Sequence, residues 1–310
     1  MFVAAPGIRF SPAYAALLIG TTICMVLAAC AMPEPPLPRS AEPDAVHAFL
    51  TSPGADQALM RITTYNWPDD GAKPARYFSW IGPDATSDAP EIATWAGESA
   101  HVVAEVLADI RPELKRVSPD LINAYADALT PFQAAMVGYD DGMRGFGELS
   151  TPDDPAAARS VFAVIATNAE SGEKFIESAY SRAVEVAAAA AEQGCREPSV
   201  AARVSRRAVR AAAALSGVAA SVDKELKNRP PALWPVVNAM AEACLAVAGE
   251  PPQGCIVDYL DGGRLLPPAV VLDRESSLES YYQSQRDYVT NLGLDVSDFY
   301  AVWNKAAHGR

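Results

Sequence analysis

From Asp44 onward, apolar side chains return every third or fourth position, a period that belongs to helices and excludes a fold dominated by strands. Ile92, Trp95, Val102, Val103, Val106 and Ile110 keep these steps over one long run. Ser118-Pro119 reads as a capping residue followed by proline in the first helical turn, where the missing N–H has no partner to lose. The helix it opens carries Leu121, Ile122, Tyr125, Leu129, Phe132 and Met136 on one side. Pro131 lies within that run and predicts a kink, because its ring removes the bond to the Asp127 carbonyl. Gly142, Gly145 and Gly147 predict a loop over Asp140–Pro152, and Asp154-Pro155 predicts a further helix start. Val200, Val204, Ala208, Ala211, Leu215, Val218, Val222 and Leu226 fall within an arc of roughly 80°, predicting one helix from Ser199 to about Lys227.

One segment leaves the helical period. Cys255–Leu260 and Arg264–Leu266 flank Asp261-Gly262-Gly263, which predicts a hairpin over about 255–272 with a glycine turn. Helices near Glu275–Asn291 and Val296–Ala307 follow it. The expected fold class is therefore all-α: a multi-helix bundle of long amphipathic helices with one small C-terminal β-hairpin, in a single domain over 44–310. No repeat with a period of 20–50 residues predicts a solenoid.

Composition restricts partners. Of 310 residues 50% are apolar, too many for a disordered chain. Lys and Arg total 25 against 38 Asp and Glu, a net charge of −13, which argues against nucleic acid as a partner and against electrostatic docking on anionic lipid. Three histidines leave little for imidazole chemistry.

The N-terminal segment sets the expected location. Arg9 precedes an apolar run from Ala13 to Ala29, too short and too closely followed by prolines for a plain membrane span. The run ends in Leu27-Ala28-Ala29-Cys30, which resembles a bacterial lipobox. That resemblance implies a signal peptide over 1–29, cleavage between Ala29 and Cys30, and a diacylglycerol and acyl (palmitate) anchor on Cys30. Pro33, Pro35, Pro36, Pro38 and Pro43 then predict a semi-rigid extended tether over 30–43. Cleavage would remove Arg9 alone among the charges, leaving an acidic body held at the outer face of the cell membrane by lipid, not by charge.

Export favours a disulfide among Cys195, Cys244 and Cys255. Cys244–Cys255 is the first expectation, because Glu250-Pro251-Pro252-Gln253-Gly254 can reverse the chain between them; Cys195–Cys244 is the alternative. Glu98-x-x-His101, with Glu105 one turn on, has the spacing of a di-iron ligand step, but a second such motif and two further helical glutamates are needed. Asp44-x-x-His47 lies beside the tether, and Glu91, Thr94, Glu98, His101, Glu105 and Asp109 read as one solvated face. No metal site follows. Nor does a cofactor or a catalytic residue, for there is no Gly-x-Ser-x-Gly elbow, Walker motif or dinucleotide glycine pattern. The acidic turns Trp67–Gly71 and Tyr139–Gly142 lack the spaced ligands of an EF-hand. Arg203, Arg206, Arg207 and Arg210 form a basic patch, either a flank paired with the protein's own carboxylates or a docking site for an acidic partner.

Several stretches carry a family resemblance: Arg61–Asn66, Leu121–Leu129 continuing to Phe132–Gly138, Arg144-Gly145-Phe146, and Ala158–Ile165. Together they resemble the alanine-rich helical region of actinobacterial proteins described as containing a TPR repeat region, which occur with type VII (ESX) secretion and polymorphic toxins. The resemblance implies a helical envelope protein and supplies no catalytic role. The expected function is a lipid-anchored, non-catalytic protein-interaction module, accessory or immunity-like to secreted effectors, with an unidentified protein partner. The alternatives are a carrier that holds an apolar ligand between helices and, third, a hydrolase.

Overall fold

The computed structural model describes residues 33–111, 116–247 and 252–309. Residues 33–35 have no regular secondary structure, and the helical body begins at Pro36. Leu37 rests against the core and Pro38 is buried, so the last part of the expected tether is docked on the body.

The fold is all-α with one two-stranded antiparallel sheet. The first half comprises α1 (Pro43–Leu50), α2 (Ala55–Thr64), the single turns α3 (Ala72–Ala75) and α4 (Ile81–Asp84), α5 (Pro90–Ala108), α6 (Pro119–Leu129), α7 (Gln133–Met136) and α8 (Ala156–Ile165). Proline occupies the first turn of α1, α5 and α6, as its fixed φ permits. Pro131 breaks the run into α6, a 3-10 turn over Thr130–Phe132 and α7, which is the expected kink. Asp154-Pro155 differs from Ser118-Pro119: Pro155 is the cap of α8, and the Ser150 hydroxyl accepts from the Ala158 amide at 3.1 Å. The core of this half centres on Tyr125, fully buried, edge-on to Phe78 and hydrogen-bonded to Thr63 at 2.8 Å.

The second half is built on α9 (Ala169–Arg196), α10 (Ala201–Ala220), α11 (Leu233–Val247), α12 (Pro268–Glu275), α13 (Glu279–Asn291) and α14 (Phe299–His308). α10 packs mainly between α9 and α14, and α9 also carries α11. Every residue from Ala211 to Ala220 is buried, so this part of α10 is covered on all sides. Eight of those ten are alanine, serine or glycine, small enough for neighbouring helices to close in from every direction. The stripe expected to run on to Lys227 stops at Ala220: the Ser221 hydroxyl turns back to the Val218 carbonyl, and Asp223 accepts from the Glu225 amide at 2.8 Å. The hairpin is also smaller than expected. Cys255–Tyr259 is a 3-10 turn, the strands are Leu260–Asp261 and Arg264–Leu265, and Pro268 starts α12. Gly262 and Gly263 hold the two-residue turn at φ 58° and 83°, the geometry that matches strand twist. The helix expected near Glu275–Asn291 is α13, which starts at Glu279 because Glu275 closes α12, and α14 begins at Phe299 rather than near Val296.

Candidate binding groove

Ala29, Cys30 and the lipobox lie outside the described residues. The cysteine expectation is corrected: Cys195 pairs with Cys244, Cα–Cα 5.5 Å, and Cys255 is an exposed free thiol. α11 packs against α9 and buries Cys244 completely on that side, where the end of α9 brings Cys195. Cys255, at the start of the surface 3-10 turn, is left without that partner.

The polar side of α5 is open at Glu91, Glu105 and Asp109, as expected, but partly covered at Thr94, Glu98 and His101. The 142–149 loop lies on it, with Phe146 edge-on to His101 at 5.1 Å between ring centroids. α1 brings His47 to stack on Trp95 and to meet Glu98 at 2.6 Å, so the two dismissed Glu/Asp-x-x-His steps touch. They do not make a cluster of three metal-ligating groups, and none exists among the described residues. The acidic turns serve the chain itself: Asp69 accepts from the amides of Gly71 and Lys73, and Asp141 pairs with Arg182 at 2.7 Å.

The arginine patch divides. Arg206 pairs with Asp295 at 2.7 Å, Arg210 with Asp153 at 2.6 Å and Asp298 at 3.3 Å, and Arg207 lies over the Tyr139 ring at 5.5 Å. The hydroxyl and amide of Ser297, then Arg206, hold the Asp295 carboxyl below the usual range. Arg203 has no ion pair with a described residue. Three of the four cations are thus engaged by the protein's own groups, and the face they line is a shallow, open depression.

A different surface has the form of a binding site. Along α9, Glu173, Glu177, Tyr180 and Val184 follow one stripe at steps of four, three and four residues. After α10 the chain turns through Asp223 and Leu226, then runs extended through Pro230-Pro231 before α11 opens with Leu233. Those two prolines donate no backbone hydrogen bond, so they form a wall without sheet or helix. α14 supplies Tyr300 and Trp303, three residues apart on one face. Between these elements lies a half-open, largely apolar groove of about 360 Å³, floored by Ala183, Val184 and Val236. Tyr300 is 45% exposed at its mouth. The Ser216 hydroxyl on its lining donates to the Ala212 carbonyl at 2.7 Å and is therefore not presented as a nucleophile.

Arg229 closes one end. Its guanidinium lies 4.4 Å from the centroid of the Tyr180 ring and donates to Glu177 at 2.5 Å and to Asp223. Tyr180 donates to the same Asp223 at 3.1 Å. Burial, then the Asp223 carboxylate, pushes the Tyr180 phenol far above its ordinary range; the bond to Glu177 raises Arg229 further. The phenol therefore stays neutral and the guanidinium charged at every physiological pH. Beyond Arg229 lies a second basin of about 410 Å³, of mixed polar and apolar lining, that includes Glu173, Glu177, Asp223 and Glu225.

No family model, curated protein or solved structure matches this chain. The site is therefore defined by its own geometry: aromatic and proline walls, an apolar floor and an ion-paired end. Sequence reasoning missed it because its residues come from α9, the 221–232 turn, α11 and α14, far apart in the chain. The local signals were Pro230-Pro231 and the Tyr300/Trp303 pair, both without periodicity of their own. Pro131 is not among the residues that line it, and Phe132 beside that proline is fully buried in the core.

Proposed function

We propose that this chain is a lipid-anchored protein of the cell envelope, held at the outer face of the membrane through Cys30, that binds another protein without catalysis. Its role would be accessory or immunity-like to secreted effectors. The reading rests on the Tyr180–Trp303 groove, whose open mouth, exposed Tyr300 and paired rim suit an inserted side chain of a partner. Supporting it are the lipobox, the proline-rich segment after Cys30, and a disulfide of the kind that persists in exported proteins.

Crosslinking of the tagged full chain at native expression level, followed by mild solubilisation, tests the proposal. A stoichiometric protein captured by the parent and lost from Tyr300→Ala supports it. Tyr300 is exposed, so its truncation leaves the core intact. Capture that is equal in both overturns the groove as the contact.

The carrier reading has one specific observation in its favour: the groove's volume and apolar floor lie within the range of small-molecule sites. Lipid co-eluting with the parent and absent from Tyr300→Ala, with no protein captured, would replace the first reading with this one.

A further inference from the structure

We infer that the occupant of the groove is a partner segment carrying a bulky apolar side chain and, about 10 Å away, one or two lysines or arginines. The inference rests on the reading that the Tyr180–Trp303 groove is the binding site. It is carried by the juxtaposition of two depressions with different linings that share Arg229 and the same face of α9.

The apolar half presents Tyr180, Trp303 and Pro231. The other half is of mixed lining and presents four carboxylates, Glu173, Glu177, Asp223 and Glu225, against Lys224 and Arg229 as its only cations. Arg229 is consumed by Glu177 and Asp223, and Glu225 accepts from the Asn228 side chain at 2.5 Å. Glu173, exposed one turn before Glu177, has no ion pair with a described residue. The basin therefore keeps a negative excess beside an aromatic groove, and a cationic segment complements it.

The spacing follows from α9. Glu173 and Tyr180 are seven residues apart, about 10 Å at the 1.5 Å rise of a helix. An extended segment spans that distance in roughly three residues.

The probes are two fluorescein-labelled peptides, Leu-Trp-Gly-Ser-Lys-Lys and Leu-Trp-Gly-Ser-Glu-Glu, both amidated. Their binding is read by fluorescence anisotropy on the full chain in nanodiscs of zwitterionic lipid, with empty nanodiscs subtracted. The lysine peptide should bind at least tenfold tighter at low salt, and the preference should narrow as ionic strength rises. In the double variant Glu173→Gln, Glu225→Gln it should fall to within about twofold, because those carboxylates are exposed and glutamine keeps their size. Equal affinity for both peptides, abolished by Tyr300→Ala, would mean an uncharged apolar occupant; it overturns this inference and leaves the groove reading standing. A lysine preference unchanged in the double variant also overturns it. So does failure of both peptides to bind, and the crosslinking comparison then decides the groove reading separately.

Discussion

Gly97 and Gly145 place two stretches of backbone in direct contact. A Cβ on Gly97 would stand 1.8 Å from the Arg144 carbonyl oxygen, and one on Gly145, at φ 77°, would stand 2.1 Å from that of Thr94. The 142–149 loop is thus seated on α5 by the absence of side chains. Gly97→Ala must push the loop away, and we expect a loss of about 1–3 kcal/mol or more, read as a lower urea midpoint at unchanged slope. A midpoint equal to the parent's would mean that the loop is not seated there. The arrangement also explains a misreading. Glu98 and His101 look like part of a solvated face because polarity at helical spacing records side-chain chemistry and not what covers it. His47, 51 positions earlier, and Phe146, 45 later, do the covering. Tyr125, by contrast, was legible as core, since its apolar ring recurs in step with Leu121, Ile122 and Leu129.

Among the elements, the Cys195–Cys244 bridge ties the end of α9 to α11 across a separation of 49 residues. Closing a loop of that length restricts the unfolded chain by about 4 kcal/mol on the chain-entropy account. Cys195→Ser should lower the unfolding free energy by up to that amount. Mass mapping after alkylation of the native protein should find Cys255 modified, with Cys195 and Cys244 modified only after reduction. Alkylation of Cys244 without reductant would disprove the bridge. Helix identity was readable wherever apolar and polar positions contrast, as in α5, α6 and α10. α9, the longest helix among the described residues, gives a weaker signal, because Ala187–Ala191 is a run with no contrast from one face to another. The two ends misplaced by sequence, at Ala220 and around the hairpin, are set by side-chain hydrogen bonds to backbone and by Pro267-Pro268, which compete locally with a pattern that would otherwise continue. Cysteine pairing depends on which helices lie side by side, and that is not written in the spacing of the cysteines.

For the whole molecule, the all-α class followed from period and composition, whereas the groove required the packing of segments more than a hundred residues apart. The anchoring proposal is tested at this scale. Among the described residues no helix is long and apolar enough to cross a membrane, and on our reading attachment is carried by Cys30. Cys30→Ala should leave the membrane fraction or accumulate as an uncleaved precursor, followed by fractionation and immunoblot. A processed variant that sediments with membranes as the parent does would refute lipidation.

The burial of α10 on all sides has a consequence for how the chain is made. Its last three turns are covered in part by α14, which begins 79 positions after α10 ends. At a synthesis rate of about 5–20 residues per second, those turns exist for several seconds with one wall of their enclosure still untranslated. Through that interval the polypeptide cannot reach its final packing.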